Sequence, residues 1–240
     1  MSIKLTIIIP IYNETENINR VEEECLKFFQ ISKVSSSVLF INDGSTDDSQ
    51  SKIEAICSRH KNFNFIEFDK NYGLSTALKA GFDYVDTELV GYMDADLQTH
   101  PEDFNLLLDY TEDYILVTGH RHNRNDSFIK KKVSKIANFI RRIFTKDGIQ
   151  DTGCPLKIIH TDNAKQIPMF RGLHRFLPAM IQLQNGNVKE VPVRHFPRIN
   201  GSSKFGIKNR IFSPLLDCFA YLWIKKRIIN YSIKNKSIRT

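Results

Sequence analysis

The first 120 residues alternate between short β-branched or aromatic runs and amphipathic stretches, and this alternation limits the fold more than any other feature. Strands are predicted in five runs that each end at Pro, Asp or Gly: KLTIIIP, SVLFIND, FNFIEFD, ELVGYMD and YILVTG. Helices are predicted between them, at 18–29, 47–58, 75–85 and 101–110. Alternating strand and helix units favour an α/β fold with a mostly parallel, doubly wound sheet.

Polar loops follow three of the predicted strands at the point where each strand ends. They are PIYNE (10–14), NDGSTD (42–47) and DADLQ (94–98). In a doubly wound sheet the carboxyl ends of the parallel strands meet at one edge, where ligands bind. A dinucleotide site of the usual kind is excluded, because PIYNE and not a G-x-G-x-x-G motif follows the first strand.

The DADLQ loop places two carboxylates and an amide at alternate positions, Asp94, Asp96 and Gln98. Alternate residues of an extended segment point to the same side, so these oxygens are predicted to hold Mg²⁺ or Mn²⁺. Because Mg²⁺ completes its shell with water and substrate phosphates, a diphosphate-bearing substrate is expected. The alternative, acidic capping of the next helix, would explain Glu102 and Asp103 but not the carboxylate pair.

The positive charge of the chain is concentrated at its C-terminal end. The net charge is +7, and residues 194–240 hold eleven Lys or Arg against one acid, Asp217. A second basic segment runs from Arg121 to Lys146, and both segments carry apolar residues at helical spacing. Basic amphipathic helices favour an anionic membrane surface as partner. Core packing, or contact between copies in a homo-oligomer, remains open for both apolar stripes.

Several other classes of protein are disfavoured. No apolar stretch approaches the roughly 20 residues of a membrane-spanning helix, and four widely spaced cysteines indicate neither a disulfide framework nor a zinc site. Nucleic acid is not expected as a partner, because the C-terminal aromatic residues lie on one apolar stripe and do not alternate with Lys and Arg. We therefore expect a cytoplasmic protein that is peripheral on the cytoplasmic face of the membrane.

Taken together, the motifs resemble those of family 2 glycosyltransferases with the GT-A fold. The resemblance is closest to the polyprenyl-phosphate hexosyltransferases of the dolichol-phosphate mannose synthase type. It covers nearly the whole chain and adds further segments to the three loops: NYGLSTALKAG, GHR with KKKVSKIAN, DTGCPLK, HRFLP and VPVRHFPRINGSSKFGIKNR. It implies a GT-A catalytic domain at 1–204, followed by a basic amphipathic helical tail at 205–240 that contacts the membrane surface or another copy of the chain.

The resemblance implies a metal-dependent, inverting enzyme that moves a hexose from a nucleotide-diphosphate sugar to a polyprenyl phosphate such as dolichyl or undecaprenyl phosphate. GDP-mannose and UDP-glucose are the expected donors. A phosphate monoester is already largely dianionic at neutral pH, so this acceptor needs no general base. The alternative is transfer to a saccharide hydroxyl in cell-surface polysaccharide or lipopolysaccharide assembly. That acceptor would need a carboxylate base, for which Asp151 is the candidate.

The resemblance also implies roles for individual residues. Contacts to the nucleotide sugar would come from Pro10, Tyr12, Glu14, Asp43, Asp94 and Lys204. The metal would be held by Asp94, Asp96 and Gln98. The acceptor phosphate would be received by Arg121, Lys130, Ser134, Arg198 and Ser202. Direct catalytic roles would belong to Asp94, Asp96, Arg121 and Arg198. Many relatives carry Arg in place of Lys130, so here a point charge would replace a bidentate phosphate contact.

Overall fold

The computed structural model describes residues 2–121, 141–197, 212–229 and 234. Within this part of the chain seven strands form one sheet: β1 Leu5–Ile11, β2 Ser36–Asn42, β3 Phe63–Glu67, β4 Leu89–Tyr92, β5 Leu116–Arg121, β6 Lys157–His160 and β7 Val188–Val193. The helices are α1 Thr15–Ile31, α2 Ser49–Arg59, α3 Leu74–Tyr84, α4 Phe104–Leu108, α5 Thr161–Lys165, α6 Leu177–Leu183 and α7 Phe212–Arg227. Two 3₁₀ turns lie at Pro101–Asp103 and Leu173–Arg175, and residues 141–145 are helical.

The sheet is mostly parallel, as predicted. Its spatial order is β3-β2-β1-β4-β6-β5-β7, and among these strands β6 alone runs against its neighbours, β4 and β5. The carboxyl ends of the other six strands therefore lie along one side, which we call the carboxyl edge. The antiparallel β6 starts at this edge, so Lys157 lies there too.

Helices cover both faces of the sheet. Along β1, Ile7 and Ile9 join the core beneath α1, α2 and α4, whereas Ile8 joins the core beneath α3, α6 and α7. Successive side chains of a strand point to opposite faces, so a strand covered on both sides must be apolar throughout. This requirement explains the uninterrupted TIII run and confirms the doubly wound arrangement.

Three local predictions need correction. Strands β6 and β7 were not predicted, because β6 is only four residues long and leads directly into α5. The Pro192 in β7 is tolerated because β7 is an edge strand. The fourth predicted helix, 101–110, is a 3₁₀ turn followed by α4, and it ends at Leu108.

Helix α7 packs on the rest of the protein through one face only. Tyr221 is buried, and its ring stacks on that of Phe176 with 6.0 Å between centroids. The outward face carries Leu216, Phe219 and Trp223, with exposed fractions of 70%, 56% and 65%. Core packing, one of the alternatives for this apolar stripe, is therefore excluded for these three side chains. In the described ranges, no helix combines the length and apolar character required to span a bilayer.

Candidate active site

The first predicted loop begins inside β1. Pro10 lies in β1 opposite Ile41 of β2. The carbonyl of Ile11 accepts a hydrogen bond from Asp43, directly beyond β2, whereas the carbonyl of Ile8 accepts one from Met93 beyond β4. Even-numbered residues of β1 thus face β4, whose pairing with β1 ends at Ile8. Because no ladder continues there, the missing N–H of Pro10 costs no strand pairing.

The cavity next to this loop is bordered by the ends of β1, β2 and β3. It has a volume of about 620 Å³ and is lined by Tyr12, Gly44, Ser45, Thr46, Glu67, Phe68, Asp69, Lys70 and Asn71. Gly44 has φ 65°, and a Cβ there would come within 2.2 Å of the Lys70 backbone. Glycine is therefore required at this turn.

Asp43 precedes Gly44 and bonds to Asn71, two residues that line this cavity. Its carboxylate accepts hydrogen bonds from the backbone N–H groups of Tyr72 and Gly73, at 2.7 and 2.8 Å, and from the Asn71 amide at 2.9 Å. Burial raises the pKa of Asp43, although these backbone donors oppose the rise. The side chain thus fixes the 71–73 loop, a contact that the sequence analysis missed. The role of Asp43 in binding the nucleotide sugar stays a prediction.

Glu14 faces a different groove. Its carboxylate accepts a hydrogen bond from the Asn17 amide at 2.6 Å, and its backbone N–H donates to the Ser49 hydroxyl at 3.1 Å. The groove around it has a volume of about 400 Å³ and is lined by Asn13, Glu14, Thr15, Glu16, Asn17, Asp47 and Asp48. Glu14 and Tyr12 therefore do not line the same cavity.

The DADLQ loop at 94–98, which we call the metal loop after its predicted role, is not the extended segment that we expected. The chain turns at Ala95 and Asp96, and Leu97 has φ 52°, so alternation along a strand does not orient these side chains. The loop is shaped by local bonds instead. Tyr92 donates its hydroxyl to Asp94 Oδ1 at 2.7 Å, and the backbone N–H of Gln98 donates to Asp96 Oδ1 at 3.1 Å.

The two carboxylates nevertheless influence each other strongly. Burial and the negative charge of Asp96 raise the pKa of Asp94 to about 6, while the Tyr92 hydroxyl and the charges of Arg121 and Lys157 oppose the rise. A pair of oxygen ligands that repel each other in a buried setting suits a hard divalent cation, which would relieve the repulsion. Within residues 2–121, 141–197 and 212–229, no cluster of three or more His, Cys, Asp or Glu side chains forms a metal site. Two carboxylates fit a cation such as Mg²⁺, which usually takes several ligands from water and substrate phosphates.

The raised pKa of Asp94 would make binding of the predicted cation dependent on pH. Below about pH 6 the Asp94 carboxyl carries a proton, which must leave before the oxygen can bind a cation. We expect Mn²⁺ affinity, measured by calorimetry between about pH 5 and pH 8, to fall about tenfold per pH unit below about 6 and to level off above it. An Asp94→Asn variant should bind Mn²⁺ weakly at every pH. An affinity for the wild type that does not change across this range would contradict the assignment.

The carboxyl edge also contains a buried ion pair. Arg121 donates Nε and Nη2 hydrogen bonds to the two carboxylate oxygens of Asp151, both at 2.8 Å, and its backbone N–H donates to the same group at 3.2 Å. Burial alone would lower the pKa of Arg121, but the bonds and charge of Asp151 raise it above its ordinary value. Asp151 therefore holds the Arg121 side chain in place.

Lys157 is a second cation at this edge that sequence reasoning missed. It is 1% exposed, and its ammonium group donates to the carbonyl oxygens of Thr152 and Cys154. Burial lowers its pKa. The available sequence signal was Lys157 at the start of the apolar run KIIH. An apolar run indicates burial, and a lysine is rarely buried without a partner.

The structure thus brings predicted site residues from several strand ends to the carboxyl edge. They are Pro10 and Tyr12 at the end of β1, Asp43 just beyond β2, Asp94, Asp96 and Gln98 after β4, and Arg121 at the end of β5. Other predicted site residues lie outside the described residues: Lys130, Ser134, Arg198, Ser202 and Lys204. Their roles stay predictions.

Comparison with known proteins identifies the family. A model described as glycosyl transferase family 2 matches residues 6–167. The chain is 29% identical over 231 residues to dodecaprenyl-phosphate galacturonate synthase of Rhizobium johnstonii, covering 94% of this chain and 68% of that protein. It is 30% identical over 204 residues to undecaprenyl-phosphate 4-deoxy-4-formamido-L-arabinose transferase of Proteus mirabilis, covering 84% of this chain and 63% of that protein. The predicted resemblance to polyprenyl-phosphate sugar transferases is confirmed.

The fold is also shared with solved structures. Glucosyl-3-phosphoglycerate synthase of Mycobacterium tuberculosis, crystallised with Mn²⁺, UDP-glucose and phosphoglyceric acid, superposes with a TM-score of 0.68 at 13% identity, covering 95% of this chain and 81% of that one. At this identity the likeness concerns the fold, and the predicted GT-A architecture is confirmed. With a matching family model over most of its length and a carboxylate pair at the carboxyl edge of its sheet, the chain belongs to glycosyl transferase family 2 and is a glycosyltransferase.

Proposed function

We propose that this glycosyltransferase moves a hexose from a nucleotide-diphosphate sugar to a polyprenyl phosphate, with inversion at the anomeric carbon. The observation that carries the proposal is the juxtaposition of an acidic pair, Asp94 and Asp96, with the buried cation of Arg121, whose charge acts on Asp94. The acidic pair suits a metal-bound diphosphate, and the arginine suits a second phosphate. The names of the two relatives, which both contain a polyprenyl phosphate, support the same acceptor.

The donor would be held by the metal loop. Asp94, Asp96 and Gln98 would bind Mg²⁺ or Mn²⁺, and Tyr92 would keep Asp94 in place through its hydroxyl. When bound, the cation would neutralise charge on the diphosphate leaving group. The Mn²⁺ and UDP-glucose in the structurally similar synthase support this assignment. The cavity beside Tyr12 is large enough to take the nucleoside.

The acceptor would attack without help from a base. One oxygen of the phosphate dianion forms a bond to the anomeric carbon as the bond from that carbon to the donor diphosphate breaks, and the electron pair leaves with the nucleoside diphosphate. Arg121, held by Asp151, would orient the attacking phosphate, with Lys130, Ser134, Arg198 and Ser202 as further proposed contacts. A hydroxyl acceptor would require a free carboxylate base. The engagement of Asp151 in a bidentate ion pair argues against that alternative.

A membrane surface would bring the lipid acceptor to this site. Asp217 of α7 lies 3.7 Å from Arg175 and next to Gly172, whose N–H donates to Ser75 at the start of α3. The start of α3 follows the loop that Asp43 holds, so this part of α7 lies near the carboxyl edge. We therefore propose that residues 205–240 form a tail that docks α7 on the cytoplasmic face of the membrane beside the active site of the 1–204 domain.

Membrane docking predicts a charge-dependent affinity for lipid vesicles. The end of α7 exposes Lys225, Lys226 and Arg227 beyond its outward apolar face. Each basic residue contributes about 1 kcal/mol near an anionic surface, so replacing all three with Gln should weaken binding to anionic vesicles about 100-fold in flotation assays. Wild-type binding should also fall with rising salt.

A matched control removes three exposed basic residues from the opposite face of the sheet. Lys27, Lys33 and Arg59 lie on or beside α1 and α2, and their replacement with Gln should leave vesicle binding unchanged. Equal binding by the wild type and the α7 variant would show that this helix does not dock on lipid.

The test of the proposed reaction uses the purified protein with Mn²⁺, a short polyprenyl phosphate and a panel of sugar donors, with products identified by mass spectrometry. The panel should include GDP-mannose, UDP-glucose and donors of the sugars named in the two relatives, galacturonate and 4-deoxy-4-formamido-L-arabinose. We expect a glycosyl polyprenyl phosphate from one donor class. A saccharide acceptor is assayed in parallel, and transfer to its hydroxyl with none to the polyprenyl phosphate would contradict the proposal.

A further inference from the structure

The segment that leaves β7 is bound to the start of α4. Arg194 donates its backbone N–H to Asp103 Oδ2 at 2.9 Å and its Nε to Asp103 Oδ1 at 2.8 Å. A third bond runs from Nη2 to Glu102 at 2.9 Å. Asp103 is 3% exposed, and Arg194 forms an ion pair with this buried carboxylate. A carboxylate held by both backbone and guanidinium groups of one residue has little freedom to rotate.

The same segment also touches the metal loop. Two residues beyond Arg194, the backbone N–H of Phe196 donates to the carbonyl of Gln98 at 2.9 Å. The ring of Phe196 packs on that of His100 with 4.4 Å between centroids. Gln98 in turn donates its own N–H to the Asp96 carboxylate at 3.1 Å. One residue of the metal loop therefore links Asp96 to the exit of β7.

These contacts hold the segment 98–103 at both of its ends. The residues from 98 to 103 are bound to the 194–196 segment at each end, through Gln98 and through Asp103. The φ of 52° at Leu97 is uncommon for a residue with a branched side chain, and such a conformation persists where surrounding contacts hold it. Arg194 supplies the contacts that involve charge.

We propose that Arg194 is a positioning residue for the metal loop, which through Asp103 and the Phe196–Gln98 bond holds Asp96 in the orientation that binds the cation. This inference depends on the proposed metal and diphosphate site. Arg194 does not touch the substrate; it acts through the loop. Its effect should therefore appear in the affinity for the cation and not only in turnover. Partners of this kind, one step away from a metal ligand, typically change metal affinity by about 10–100-fold when they are removed.

The experiment measures Mn²⁺ binding by calorimetry with UDP or GDP present, without any turnover. Arg194→Ala should raise the dissociation constant for Mn²⁺ at least about tenfold. Arg194→Lys keeps the charge but not the planar fork, so it should give an intermediate value. Asp103→Asn, which removes the charge at the other end of the contact, should match Arg194→Ala. If circular dichroism shows that Arg194→Ala does not fold, Arg194→Lys and Asp103→Asn take its place in the test.

The matched control is Arg59→Ala. Arg59 binds both oxygens of Glu22, at 2.8 and 3.0 Å, at the end of α2 far from the carboxyl edge. The Arg59→Ala variant removes a similar ion pair and should leave Mn²⁺ affinity unchanged. If Arg194→Ala and Arg59→Ala bind Mn²⁺ as the wild type does, the inference is wrong and the proposed metal site stands. If the wild type itself binds no Mn²⁺ with either nucleotide, the proposed metal site is wrong and the inference falls with it.

Discussion

Replacing Asp96 with asparagine should lower kcat for sugar transfer about 100-fold or more, because electrostatic stabilisation of a leaving group by one such group is worth about 10²–10³ in rate. Asparagine keeps an oxygen for the N–H of Gln98, so the loop bond at 3.1 Å can persist and the variant should fold. The measurement is steady-state transfer at saturating Mn²⁺, with thermal unfolding as the check on folding.

The control for this prediction is Asp109→Asn. Asp109 lies just beyond α4, where it forms an exposed ion pair with Lys33. Exposed pairs contribute about 0–1 kcal/mol, so this variant should retain full activity. If Asp96→Asn kept most of the wild-type kcat, Asp96 would not be a metal ligand in the reaction.

Removing the guanidinium of Arg121 should destabilise the fold as well as the reaction. Arg121→Ala removes the guanidinium from the buried Arg121–Asp151 ion pair, and breaking a buried pair in this way costs about 3–5 kcal/mol. Urea denaturation should therefore show a lower midpoint. Replacing both residues with leucine should restore most of the free energy of unfolding, because no uncompensated charge remains.

The double variant tests whether Arg121 contacts the acceptor or the donor. Without Arg121 it should use the lipid phosphate poorly, while binding Mn²⁺ and nucleoside diphosphate like the wild type, since the Tyr92–Asp94 and Gln98–Asp96 bonds remain. An equal loss of donor binding would place Arg121 on the donor side.

The first five strands and the edge that carries the site could be predicted because they depend on local patterns. The β-branched runs of β1 to β5 are short, apolar and closed by Pro, Asp or Gly, and parallel strands necessarily bring PIYNE, NDGSTD and DADLQ to the same edge. The strand β6 lacked such a signal, since four residues give too little periodicity to distinguish a strand from a helix.

Contacts between distant residues explain most of what sequence reasoning missed. Arg194 and Asp103 lie 91 positions apart, and nothing in either segment indicates the pairing. The metal loop was expected to be extended, but a leucine at positive φ is uncommon and has no local signature. Arg141, which has the sequence pattern of an exposed helical residue, is buried and paired with Asp147. The loop geometry is therefore a property of tertiary packing.

The account depends most directly on a cation between the Asp94–Asp96 pair and the donor diphosphate. Crystals grown with Mn²⁺ and UDP or GDP, with an anomalous difference map recorded at the manganese edge, test this claim. We predict a peak about 2.1 Å from carboxylate oxygens of Asp94 and Asp96, with a nucleotide phosphate oxygen completing the shell. A peak confined to the acidic groove around Glu14 and Asp47, or no ordered Mn²⁺ beside a bound nucleotide, would contradict it.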